Sequence, residues 1–322
     1  MHHFPIRKYL AMIAVGLFLG LPTANAAYPD QPIKLVVGFP PGGGGDLFGR
    51  TIAAELGKQL GQSVVVDNKP GAGGNIAAEY VANAKPDGYT LILAMSGNFA
   101  SSPASRSDLP YKVPASFDLI SLLVETPFGL MVGSNSKIKT IQEYVAQARE
   151  GKMTYASTGT GGAAQMVMEM VKQQAGLNIL HIPYKGSGPA ITDLISGQVD
   201  SFFAPYTPLM GQITGGKIRL LAVSSQNRIP SMPNIPTLKE YGINVTMTQW
   251  YGLAAPAGTP KEVVDKLIKG VKTSLQQPSV LKVYRADGAK ESFFPGNQFK
   301  EFVQTDIATY RRIIMLGGLK ND

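Results

Sequence analysis

A short apolar strand that breaks into glycines and then enters a helix occurs twice in this chain, and nothing else restricts its fold as much. The first copy runs Ile33-Lys-Leu-Val-Val37, then Phe39-Pro-Pro-Gly-Gly-Gly-Gly-Asp46. Phe48, Ile52, Leu56 and Leu60 follow at intervals of four, which lays one apolar stripe along a helix. Gly61 is placed to end that helix. A strand over 63–67, a second glycine loop over 71–75, a helix to about Ala84 and a strand over 89–94 come next. The second copy begins at 153–156, breaks into Ser157-Thr-Gly-Thr-Gly-Gly162 and continues as a helix over 163–175. Met166, Met170 and Val171 form its apolar face. Strands over 178–182, 199–204 and 218–223 and a short helix over 189–196 complete this half. Strands alternating with helices predict an α/β fold with parallel sheet, built as two βαβ lobes. The β-rich runs 117–132 and 247–256 lie between the lobes and are expected to be crossover strands. Helices are predicted from Pro260 to about Gln276 and from Asn297 to Met315, and Pro230, Pro233 and Pro236 mark an irregular loop.

The first 26 residues read as an export signal. Arg7 and Lys8 precede an apolar run from Tyr9 to Leu21, and Ala24 and Ala26 stand at the small positions of an Ala-x-Ala site. The run is too short to span a bilayer. Cleavage is expected after Ala26, with a periplasmic mature chain. The formal charge is +8; Arg7 and Lys8 carry two of those charges, which leaves +6 after cleavage. No Lys/Arg cluster of the kind that tracks nucleic acid is present. There is no Cys, hence no disulfide, lipidated Cys or thiolate metal site.

The glycine loops carry the chemistry. The first turn of a helix leaves N–H groups unpaired, and the helix dipole adds partial positive charge there. Glycines let a ligand approach that backbone closely. Two such turns, one per lobe, suit an anion held at both ends without any Arg or Lys. Nucleotide motifs fit poorly. Gly159-x-Gly161-x-x-Ala164 lacks the acid expected about twenty residues on, and Gly211-x-x-x-x-Gly216-Lys217 is followed by Ile218 in place of a hydroxyl residue. His181 is the only His after residue 3 and reads as a strand residue, so neither a His-based catalytic pair nor a zinc site is indicated. Asp46 is explained as a helix-starting acid. No catalytic residue, metal or cofactor is expected.

Phe39-Pro-Pro-Gly-Gly-Gly-Gly-Asp46, Val64-Val-Val-Asp-Asn-Lys-Pro-Gly-Ala-Gly-Gly-Asn75, Pro86-Asp-Gly-Tyr-Thr90, His181-Ile-Pro-Tyr-Lys-Gly186, Gly197-Gln-Val-Asp200 and Ala254-Ala-Pro-Ala-Gly-Thr-Pro260 occur in that order. In this the chain resembles the Bug family, the TctC-like receptors of tripartite tricarboxylate transport, over nearly its whole mature length. The resemblance implies a type II periplasmic-binding-protein fold, with two lobes closing on a central ligand cleft and joined by two crossover strands. Residues 27–126 and 250–322 would form lobe 1, and 127–249 lobe 2. It implies capture of a small carboxylate-containing metabolite and hand-over to membrane permease subunits. The alternatives are a sensor feeding a membrane kinase and, third, an exported enzyme. A monomer is the default expectation.

Carried over by position, first-lobe ligand contacts fall on Phe39, Pro40, Gly43, Gly44, Asp46, Ser96 and Asn98. Second-lobe contacts fall on Thr158, Gly159, Thr160, Gly162, Ala163 and Gln165. The chain departs from the family pattern at Gly45, at Ala164-Gln165, over 96–103 and at Ala204-Pro-Tyr-Thr207. The pocket would lose hydroxyl and imidazole groups and gain Tyr206, which points to a larger or partly aromatic acid.

Overall fold

The computed structural model describes residues 28–317. The reading of residues 1–26 lies outside them. β1 (Ile33–Val37) leads through the first glycine loop into α1 (Gly44–Leu60), whose Phe48, Ile52 and Leu56 are almost fully buried. Each such side chain contributes about 1.5–3 kcal/mol of burial. Gly61 ends the helix in the left-handed region at φ 73°, as expected of a glycine at that position. β2 (Val64–Asn68), α2 (Asn75–Ala82) and β3 (Thr90–Met95) follow, and both β2 and β3 pair with β1 in parallel.

β4 (Phe117–Gly133) is a 17-residue strand that serves both halves. A helix the sequence reading passed over comes next, α3 (Ile141–Ala148). Its signal was present: Thr140 and Glu143 cap each other across the first turn, the reciprocal pairing of a Thr-x-x-Glu start. The second half then repeats the first with β5 (Met153–Ser157), α4 (Ala163–Ala175), β6 (Ile179–Pro183), α5 (Ser187–Ser196), β7 (Ser201–Pro205) and β8 (Ile218–Val223). β6 and β7 flank β5 in parallel. β9 (Thr248–Pro256) returns the chain to the first half.

After α6 (Lys261–Leu275) come α7 (Pro278–Tyr284) and β10 (Lys290–Pro295), neither anticipated from the sequence, and then α8 (Asn297–Gly317). The strands run in the order β2-β1-β3-β9-β4-β7-β5-β6, with β8 and β10 also pairing β4. β4 and β9 are the antiparallel crossover pair between the two lobes. Register shifts occur near Ser121, Val124 and Met131. Such bulges sharpen strand twist, and here they lie on the strand that passes from one half-sheet to the other.

α8 packs against both halves, touching the 97–105 segment of the first and α4 of the second. Its Phe299 meets Trp250 of β9 edge-on at 5.6 Å. Trp250 Nε1 also donates to Asp306 Oδ2 at 2.7 Å. Burial raises the Asp306 pKa to about 6; the Trp250 bond opposes this and the nearby Glu125 adds to it. A carboxyl whose folded pKa is raised is most favourable to folding below its unfolded value near 4, and that contribution is lost as pH rises through 6. Asp306→Asn keeps an acceptor for Trp250. It is expected to stabilise the fold by about 1–3 kcal/mol at pH 7.5 and to change it little near pH 4. Urea unfolding at the two pH values measures this; equal effects at both would contradict it.

Candidate functional site

The two glycine loops and a third loop face one cavity of about 180 Å³ between the half-sheets. α1 begins at Gly44 after N-cap Gly43, α4 at Ala163 after N-cap Gly162, and α5 at Ser187 after N-cap Gly186. None of these three starts is capped by a side chain. Residues from each first turn line the cavity: Gly43–Gly45, Gly162–Ala164 and Gly186–Pro189. First-turn N–H groups have no acceptor within their own helix, so these three turns present unspent donors and the positive ends of three dipoles. No Asp, Glu, Lys, Arg or His is among the residues that line the cavity. An anion fits this environment; a cation would meet three unfavourable dipoles and no counter-charge.

Each main loop is held from behind by its own helix. Asp46 turns back and accepts the Gly42 N–H at 3.1 Å, with Arg50 Nε at 2.9 Å and Asn68 Nδ2 at 3.2 Å. Burial works against the Asp46 charge, but these hydrogen bonds outweigh it and hold the carboxyl below its ordinary pKa. In α4, Gln165 Oε1 accepts the Gly161 N–H at 2.7 Å. Both are i to i+4 ties across a glycine turn, an echo at atomic level of the repeat seen in the sequence. Across the cleft, Ser101 Oγ donates to Gly161 O at 2.6 Å, and a Cβ on Gly186 would lie 3.2 Å from Pro40 Cδ. The lobes therefore touch around the cavity, as in a closed form.

Of the residues carried over by position, Phe39, Pro40, Gly43, Gly44, Thr158, Gly162 and Ala163 line the cavity. Asp46 and Gln165 lie behind it as loop ties. Asn98 is fully buried, accepting the Met95 N–H at 3.0 Å and reaching Gly74 O at 3.3 Å. It fixes the following segment, Gly97–Ser101, which is a tight π-type turn within the stretch that departs from the family pattern. Ser96 is fully buried and faces the Tyr310 hydroxyl. Gly159 exchanges hydrogen bonds with Ser157, and Thr160 extends over Gly73 with its carbonyl.

Tyr206 corrects an expectation. It is fully buried in the second-lobe core, against Gly129 and Gly288, and does not line the cavity. β7 ends at Pro205, and the following turn directs the Tyr206 ring inward. With Tyr206 in the core, this segment adds no aromatic ring to the cleft that would favour a larger or partly aromatic acid. His181 sits on edge strand β6, stacked on Tyr155 at 4.8 Å with Nε2 2.7 Å from Ser157 Oγ. Burial lowers its pKa to about 4, so it is neutral near pH 7.

The sequence reading missed the 186–189 loop, although Gly186-Ser-Gly-Pro189 before a helix repeats the grammar of the other two. It also missed the cleft floor of Met95, Gln249 and Tyr251. Met95 ends β3, while Gln249 and Tyr251 lie in the first half of β9, and none of them carries a local signal.

The family model for the tripartite tricarboxylate transporter family receptor, TctC, matches residues 48–319. The chain belongs to that receptor family. Protein BugT of Bordetella pertussis is 31% identical over 318 residues, covering 96% of this chain and 98% of BugT. The structure of R. palustris Rpa4515 with adipate superposes with a TM-score of 0.87 at 30% identity, covering 90% of this chain and 98% of that one. The structure of MatC (Rpa3494) from Rhodopseudomonas palustris with bound malate gives 0.82 at 29% identity, covering 89% and 100%. The receptor's two-lobed α/β fold is thus that of the periplasmic binding proteins of this family.

Proposed function

We propose that this receptor captures a small carboxylate in the cleft and delivers it to the membrane subunits of a tripartite tricarboxylate-type permease. One observation carries the reading: three uncapped helix starts converge on a cavity with no charged side chain. The ligand carboxylates would accept from the backbone N–H groups of the first turns of α1, α4 and α5. Adipate and malate in the two R. palustris relatives support this ligand class. The protein works as a monomer in the periplasm after cleavage at Ala26, with residues 27–126 and 250–322 as one lobe and 127–249 as the other. It holds its ligand without converting it.

The test is a thermal-shift and calorimetric comparison of adipate and malate with their neutral diamides. At a hundredfold excess over Kd a bound acid stabilises by about 2.7 kcal/mol. The acids are expected to shift the melting temperature and the diamides not. Equal shifts from diamide and acid, or none from either acid, would sink the reading.

A further inference from the structure

Tyr251 forms the floor of the cleft, and its hydroxyl is a donor that the protein itself does not use. The residue is 1% exposed, yet it lines the cavity. Among the described residues its hydroxyl has no hydrogen-bond partner, unlike Tyr284 beside it, whose hydroxyl donates to Phe48 O at 2.8 Å. The ring is held by Phe48, with centroids 4.8 Å apart. The hydroxyl lies against the first residue of α1: a Cβ on Gly44 would come within 2.4 Å of it. Gly44 thus leaves the phenol room and sets it beside the unspent N–H groups of that turn.

The other polar side chains on the lining are differently placed. Thr158 and Ser187 are both half-buried, and Gln249 gives one of its amide N–H groups to Trp250 O at 3.0 Å. The hydroxyl opens onto the cavity and no protein group accepts its proton, so it is placed to donate to a polar ligand that enters the cleft. Met95 of β3 and Pro205 of β7 add apolar lining to the same cavity. An acid whose carboxylate sits on the helix starts of α4 and α5 would need a second oxygen acceptor to satisfy the floor.

We propose that the Tyr251 hydroxyl is the specificity-determining donor of this cleft, selecting acids with a second oxygen acceptor over simple monocarboxylates. The inference rests on the carboxylate reading above and sharpens it. A methyl-ended acid of the same length would leave the phenol unpartnered in a closed site, and the site rejects such an analogue for that reason.

Calorimetry with two matched pairs, adipate with hexanoate and malate with butyrate, tests it on wild type and Tyr251→Phe. Wild type is expected to bind the diacid of at least one pair ten times or more tightly than its monoacid. Tyr251→Phe should weaken that diacid by about ten- to a hundredfold, the usual range for a lost bond to a charged acceptor, and leave the monoacid unchanged. The unliganded variant should melt no lower than wild type, since the hydroxyl supports nothing in the protein; a lower melting point with unchanged selectivity would make Tyr251 a packing residue only. Equal diacid affinity in the two proteins would overturn the donor role while leaving carboxylate capture intact. Binding of none of the four acids by wild type would overturn both.

Discussion

Gly162→Val is expected to reduce carboxylate affinity by at least a hundredfold while leaving the fold in place. Gly162 has φ −76° and ψ 161°, an extended conformation open to any residue. A Cβ there would meet only Gly159 O, at 3.5 Å, so the backbone tolerates it. The two methyls beyond that Cβ project over the first turn of α4 into a cavity of about 180 Å³. They would occupy the position an anion must take to reach the N–H groups. The stability change should stay within about 1 kcal/mol, the scale of an N-cap substitution. Calorimetry with adipate and malate gives the affinity, and a urea midpoint gives the stability. Wild-type affinity in a folded variant would remove the α4 turn from the site.

Gly252→Val should cost about 3 kcal/mol or more of stability. Gly252 lies in β9, between Ala94 of β3 and Leu122 of β4. A Cβ there would fall 2.2 Å from Phe299 Cζ and 3.0 Å from Ser121 O. Phe299 is fully buried and packed on Trp250, so the ring has nowhere to move. Because Phe299 belongs to α8, the collision loosens the crossover strand and the helix together. Gly211→Ala, where nothing lies within 4 Å, serves as the control and should leave the urea midpoint near wild type. A variant at 252 as stable as that control would contradict the packing described.

The βαβ units were readable because each was written twice, in hydrophobic period and in glycine position. α4 begins and ends where its apolar spacing predicts. α3 was readable too, through Thr140 and Glu143, but its short amphipathic stretch did not stand out from the surrounding loop. α7 and β10 were not: their pairing depends on partners far along the chain, β10 on β4 and α7 on α1. The same division holds in the site. Glycines before a helix advertise free N–H groups whatever the tertiary structure. Tyr251, by contrast, stands in a run of strand residues with almost no exposure, and only the fold turns its hydroxyl toward the cleft. Tyr206 shows the reverse error, since a polar ring beside a family motif read as lining and became core.

The cavity lining has a consequence for how the receptor meets its surroundings. Peptide N–H groups do not titrate, and the one ionisable side chain on the lining, Tyr251, has its pKa pushed far above neutrality by burial. His181, which would gain a proton in mildly acidic water if free, is held neutral on an outer edge of the sheet. Among the described residues that line the cleft, no side chain changes charge near neutral pH. Through the range in which small organic acids are fully ionised, the groups placed to touch the ligand therefore add no pH dependence of their own to its capture. Any response of capture to mild acid would have to reach the cleft from behind, through Asp306 and its bond to Trp250 of the crossover strand.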